Sequence, residues 1–128
     1  MNKLELAKKI ESARDWDGLE NEMSQLARLV DMEKEWLDAD GEDFEEVVDQ
    51  MIIKARSGSY IVVYGNINGD EYIKYFETAL QADNFAYDYW YHLTDKERTQ
   101  NFVMSGDYNT KDPEKVYNSR LIIGNVGK

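Results

Sequence analysis

Tyr60-Ile61-Val62-Val63-Tyr64-Gly65-Asn66-Ile67-Asn68-Gly69-Asp70-Glu71-Tyr72-Ile73-Lys74-Tyr75-Phe76 is the stretch that separates this chain from an all-helical protein. Residues 60–64 are β-branched and aromatic, the composition that suits a pleated, half-buried surface. Asn68-Gly69 is the two-residue signal for a type I′ turn, which needs positive φ at both positions. Residues 71–76 then return as a second strand. With Asn68-Gly69 at the tip, Ile67 is expected opposite Asp70, Tyr64 opposite Ile73 and Val62 opposite Tyr75. One face of the hairpin then collects Val62, Tyr64, Ile73 and Tyr75.

The composition shifts just before this hairpin, at Ser57-Gly58-Ser59. Glu, Asp and Leu dominate on the N-terminal side; Tyr, Ile, Val, Gly and Asn dominate after it. Residues 1–57 are read as an acidic helical subdomain with three helices. The first, residues 3–14, places Leu6, Ile10 and Ala13 on one side. In the second, residues 19–31, Leu19, Met23, Leu26, Ala27 and Val30 share a face of period 3.6. In the third, residues 44–55, the same holds for Phe44, Val47, Val48, Met51, Ile52 and Ala55. Asp43 is expected to cap it, with Glu46 completing a capping box. Trp16 and Trp36 stand near helix ends, placed to seal the layer.

Residues 58–128 are read as a sheet-bearing subdomain with the order ββα(α)ββ. The two subdomains are expected to pack together as one α+β unit. A long helix over residues 78–93 carries two apolar stripes. One is Ala79, Ala82, Ala86, Tyr89, Trp90 and Leu93; the other is Leu80, Tyr87 and Tyr91. A helix apolar on two sides is usually packed on two sides or borders a partner. Thr94-Asp95-Lys96-Glu97 is a capping box that starts a short helix. Strands are expected at residues 101–105 and 120–124, with a polar loop over 106–113.

Charge is the strongest functional signal. Asp31, Glu33, Glu35, Asp38, Asp40, Glu42, Asp43, Glu45, Glu46 and Asp49 face a single cation, Lys34, a net of −9 within a chain of net −11. Such density repels nucleic acid and anionic lipid and attracts a basic partner. It does not have the form of a calcium loop. Counting from Asp38 puts Asp40 and Glu42 at ligand positions, but Asp43 where glycine is required, with Gly41 two places early. The choice lies between a solvated face and a partner-binding surface made of Asp38, Asp40, Glu42, Glu45, Glu46 and Asp49. Duplex DNA presents a charge about every 1.7 Å of axis, and carboxylates on adjoining helical turns can imitate such a row. Ile53 falls on the same outer helix face, as an apolar contact point or as a residue covered by a neighbour.

The remaining chemistry is sparse. The chain has no cysteine, which removes disulfides, thiol nucleophiles and thiolate metal sites. His92 is the one histidine, so paired-histidine metal sites are excluded and no Ser–His device has a local motif. Gly124-Asn125-Val126-Gly127-Lys128 lacks the spacing of a phosphate loop. No cofactor and no catalytic residue are expected. The aromatic run Tyr87, Tyr89, Trp90 and Tyr91 has few cations beside it, so core packing or a protein interface through Tyr87 and Tyr91 is preferred over base stacking. The N-terminus has no apolar run of signal-peptide form and no segment reaches membrane-spanning length. The expectation is a cytoplasmic protein that touches neither membrane nor bare nucleic acid.

The chain resembles small acidic proteins carried by bacteriophages and conjugative elements. The likeness rests on Trp16-Asp17-Gly18-Leu19-Glu20, on the residues from Trp36 through Asp38, Asp40 and Gly41 to Phe44, and on residues 87–98 with Trp90, His92-Leu93-Thr94 and Glu97-Arg98. These cover under a third of the sequence. The families concerned are uncharacterised, so no catalytic residues come with them. Some proteins of that kind inhibit host defence nucleases, several as DNA mimics. The resemblance thus implies a non-enzymatic inhibitor with a basic, nucleic-acid-binding protein as partner. The other expectation is an accessory or scaffold protein that binds through its tyrosine-rich helix.

Overall fold

Asn2 opens the first helix. Its side chain accepts from the Glu5 amide, and the Glu5 carboxylate accepts from the Asn2 amide, so two otherwise orphaned donors are satisfied. The computed structural model describes residues 1–124. Over them the fold is α+β, with helices first and a four-stranded antiparallel sheet after them. The chain divides into two compact units, Met1–Ser57 and a second that begins at Gly58.

The first unit holds α1 (Lys3–Ser12), α2 (Glu20–Leu29), α3 (Glu33–Asp38) and α4 (Asp43–Arg56). Its core is the meeting of three apolar faces: Leu6, Ala7 and Ile10 from α1; Met23, Leu26 and Ala27 from α2; Val48, Met51, Ile52 and Ala55 from α4. Burying a side chain of Leu, Ile or Met size contributes about 1.5–3 kcal/mol, so this small layer rests on a few residues. Trp16 and Trp36 flank Phe44, with ring centroids 5.6 and 5.2 Å from it. Both indole N–H groups find acceptors, the Ile10 carbonyl and the Ser24 hydroxyl. Arg56, only 4% exposed, forms a two-pronged ion pair with Glu11 at 2.9 and 3.0 Å, tying the end of α4 to the end of α1.

Two local expectations are corrected here. There are four helices, not three, because α2 stops at Leu29 and the chain restarts as α3. Asp31 takes φ +58, and the Met32 amide reaches back to the Ala27 carbonyl, the wrap that closes a helix C-terminus. Six residues with one inward-facing tryptophan leave no periodicity to read. Nor does Asp43 cap α4: it is already the first helical residue, and Glu42 before it makes no side-chain cap. The Asp43 and Phe44 amides bond instead to the Asp40 and Gly41 carbonyls. Asp43, Glu45 and Glu46 still favour the first turn, through its positive dipole end.

The second unit holds β1 (Tyr60–Asn66), β2 (Glu71–Phe76), α5 (Ala79–Tyr91), α6 (Asp95–Arg98), β3 (Asn101–Tyr108) and β4 (Val116–Gly124). The strand order is β2-β1-β3-β4. β1 is therefore an inner strand, and its apolar residues Ile61, Val62 and Val63 are buried in succession rather than alternately. Val62 and Val103 receive Ala82 and Ala86 of α5, all four without exposure. Ile61, Val63, Phe102 and Tyr108 form a second cluster on the opposite face. A polar contact also pins α5: the buried Ser105 hydroxyl donates to Asp83 at 3.0 Å, and Asp83 pairs with Arg120 at 3.3 Å. Thr94 and Glu97 form the expected capping box of α6.

β3 and β4 are both longer than the sequence suggests. Gly106, Asp107 and Tyr108, expected in a loop, belong to β3, and β4 begins at Val116. A register shift between Ser105 and Asp107 absorbs the irregularity. Residues 125–128, the greater part of the glycine-bearing tail, lie outside the described residues.

The hairpin forms, but its register differs by one residue. Tyr64 stands opposite Tyr72, Val63 opposite Ile73 and Val62 opposite Lys74. Neither Asn68 nor Gly69 adopts positive φ, so the type I′ turn is not used. The turn is built on Asn66 instead. Its carbonyl accepts from Gly69, its side chain accepts from the Asn68 amide, and its own amide bonds to Asp70. Gly65, at φ +141, carries the distortion that makes room for this wider loop. Because side chains alternate, the shift moves Ile73 and Tyr75 to the face away from α5.

A Cβ at Gly65 would run into the Asp70 carbonyl, and its backbone conformation disfavours any L side chain. Gly65→Ala is expected to destabilise the fold by about 1–3 kcal/mol. Urea unfolding should show a lower midpoint at unchanged slope.

Candidate functional site

Three surfaces compete as the functional site. The first is the acidic segment. Every carboxylate from Asp31 to Asp49 is exposed, including the six singled out from sequence: Asp38 at the end of α3, Asp40 and Glu42 in the connection, and Glu45, Glu46 and Asp49 on α4. Among the described residues none of these ten forms an ion pair. The ion pairs lie elsewhere, at Lys9–Glu22, Arg56–Glu11, Arg98–Asp95, Lys115–Asp112 and Arg120–Asp83. No group of three or more metal-ligating side chains is assembled among the described residues. Ile53 is half-buried, so it adds only part of its surface to this face.

The second surface is the outer side of α5. Leu80, Tyr87 and Tyr91 are 69, 43 and 69% exposed. The helix is thus packed through its alanine stripe, while the second stripe faces solvent. Tyr87 and Tyr91 stack almost parallel, centroids 6.2 Å apart at 12°. Arg98 closes the C-terminal end of this helix. It donates to the Trp90 and Tyr91 carbonyls and lies 5.9 Å from both rings, a cation where the helix dipole is negative. His92 is exposed, with Nδ1 2.6 Å from the Asp88 carbonyl.

The third surface is a cleft that the sequence reading missed. It is an open cleft of about 380 Å³ between the β1–β2 turn, α5 and the start of β3. Tyr64, Tyr72, Tyr89, Asn66, Asp70 and Asn101 are among the residues that line it. Tyr64 is the hub, with ring centroids 5.5 Å from Tyr72, 4.7 Å from Tyr89 and 5.1 Å from Phe85. The Tyr89 hydroxyl donates to Asn101 Oδ1 at 3.3 Å, and Asn101 Nδ2 donates to the Glu97 carbonyl at 2.6 Å. The turn is anchored by a bond from the Ile67 amide to the Gln100 carbonyl at 2.9 Å. Asn68-Gly69 signals a loop here, but the register expected from it pairs Tyr64 with Ile73 and so separates Tyr64 from Tyr72, which the structure sets opposite it.

Burial raises the pKa of both the Tyr64 and the Tyr89 phenol above the ordinary tyrosine value. For Tyr64 the neighbouring Tyr72 adds to this; for Tyr89 Tyr64, Glu97 and Tyr72 do. Both phenols are neutral near pH 7.

No protein-family model matches the chain, and no curated protein or solved structure matches it. Fold and sites together define a class only: an α+β protein with an unpaired acidic helical surface, an exposed tyrosine stripe and a tyrosine-lined cleft. No helix among the described residues is long and apolar enough to cross a membrane.

The phenol shifts set a sign for alkaline behaviour. A raised pKa means that folding favours the neutral phenol. Its contribution is complete below the unfolded value near 10 and disappears as pH rises through the folded value. Absorbance titration at 295 nm should contain ionisations above pH of about 10. Tyr64→Phe and Tyr89→Phe should each remove one of them.

Proposed function

We propose that this chain is a non-enzymatic interaction protein whose acidic helical surface engages a basic surface on another protein. The observation that carries the reading is the charge row from Asp31 through α3 and the following connection to Asp49 of α4: ten exposed carboxylates, one cation, and no ion pair drawn from them among the described residues. A protein that needs acids only for solubility can scatter them; here they are concentrated in one segment. Asp38, Asp40, Glu42, Glu45, Glu46 and Asp49 are the contacts proposed, with Ile53 as a partial apolar one. The partner class is a nucleic-acid-binding protein, engaged in the manner of a DNA mimic, in keeping with the resemblance to small acidic proteins of bacteriophages and conjugative elements, among whose kind some inhibit host defence nucleases. The chain itself is not a nucleic-acid binder on this reading, since phosphates would meet no basic cluster.

The second reading is an accessory protein that docks through α5. It is favoured by the exposure and stacking of Tyr87 and Tyr91 beside Leu80. Stiff rings bury large areas at low entropic cost.

Affinity capture from the native host, followed by mass spectrometry, distinguishes the two. Replacing Glu45, Glu46 and Asp49 by lysine is expected to abolish capture of the basic partner while the melting temperature holds or rises, since exposed charges add little stability and like charges repel. Wild-type association should weaken as salt increases. Unchanged capture by the triple variant, with loss on Tyr87→Ala/Tyr91→Ala, gives the surface of α5 the role instead. A salt-sensitive mobility shift with bare DNA or RNA contradicts both readings.

A further inference from the structure

We propose that the tyrosine cleft of the second unit binds a guanidinium group, as carried by an arginine side chain or a small arginine-derived amine. This is a separate site from the acidic surface, and either can fail without the other.

The lining sets the sign of the ligand. It contains phenols, amides and the Asp70 residue, and no Lys, Arg or His. Glu97 also lies close enough to contribute to the raised Tyr89 phenol. The lining itself offers an anion no counter-charge, Lys74 being held over Phe85 outside it, whereas an organic cation gains from a carboxylate and from ring faces.

The rings supply the second argument. Tyr72 and Tyr89 each pack on Tyr64, and the chain already places its own cation on the adjoining ring: Lys74 Nζ sits 4.7 Å over Phe85, which contacts Tyr64. Cations are attracted to the faces of such rings, the more so where water is excluded.

The hydrogen-bonding inventory then chooses among cations. The Tyr64 and Tyr72 hydroxyls make no hydrogen bond to any described residue, and the Tyr89 oxygen, having donated its proton to Asn101, keeps its acceptor lone pairs. Asn66 and Asp70 add acceptors at the rim. A quaternary ammonium brings no donors and would leave these acceptors unmet. A planar guanidinium brings five, is weakly hydrated, and stacks on aromatic faces. A volume of about 380 Å³ is at the small end for a ligand site, which suits a side-chain-sized group rather than a large cofactor.

The test is an NMR titration of the intact protein, following the tyrosine ring resonances. The probes are N-acetyl-arginine-N-methylamide, agmatine, the equivalent blocked lysine and the blocked citrulline. Citrulline keeps the shape of arginine without its charge. The expected result is saturable shifts of the Tyr64, Tyr72 and Tyr89 signals with arginine or agmatine, and at least about tenfold weaker binding of citrulline and lysine, the factor that 1.4 kcal/mol produces. Tighter binding of agmatine than of blocked arginine assigns a small-molecule source; the reverse assigns a peptide. Asp70→Asn alters an exposed residue and is expected to keep the urea midpoint, while Tyr72→Ala gives up a cross-strand ring contact with Tyr64 and lowers it modestly; both are expected to weaken arginine binding at least fivefold. No saturable shift up to 20 mM probe, equal response to citrulline, or arginine binding indifferent to both variants overturns the proposal.

Discussion

The position of β1 against β2 is the constraint on which the sheet unit depends. Tyr64 opposite Tyr72 places both rings on the side of α5, with Val62 and Phe76, while Ile61, Val63, Ile73 and Tyr75 go to the other side. A one-residue slip of β2 would turn Tyr72 and Phe76 away from α5 and bring Glu71, Ile73 and Tyr75 to its side. What holds the register is local. Gly65 lets the chain approach the Asp70 carbonyl, and Asn66 organises the turn with its side chain, carbonyl and amide. The cleft is the by-product of that same turn.

The helix above the sheet is held by small residues on one side and displays large ones on the other. Ala82 and Ala86 meet Val62 and Val103 without exposure. Close approach of a helix to a sheet needs short side chains at the contact, and it brings Phe85 and Tyr89 down beside Tyr64. Ser105 and Asp83 fix the rotation of the helix by a hydrogen bond inside this layer. With rotation fixed, Leu80, Tyr87 and Tyr91 point outward.

The helical unit solves a different problem. It carries most of the negative charge of the chain and must still close a core of about a dozen side chains. The carboxylates from Asp31 to Asp49 are all kept outside that core. Several lie in first helical turns, where the dipole offsets part of their mutual repulsion. What remains is a long unneutralised surface, costly to the isolated chain and favourable against a basic one.

The sequence by itself determined the class of fold and the helical faces. Val48, Met51, Ile52 and Ala55 are buried on α4 as their spacing requires, because a 3.6-residue period has one inward side whatever the helix packs against. The α6 capping box and the exposure of the acidic run were legible for the same reason: both depend on neighbours within a few residues. The register of the hairpin, the existence of α3 and the length of β3 were not. A strand's alternation is satisfied equally by two registers when both faces are apolar, and only the Asn66 turn with the packing of α5 selects one. The tyrosine cleft was the least legible feature. Its rings come from β1, β2 and α5, at positions 64, 72 and 89, and Asn101 comes from β3. Residues so separated acquire a common purpose only when pairing and helix packing bring them within a few ångströms, which is a property of the tertiary structure and not of any local stretch.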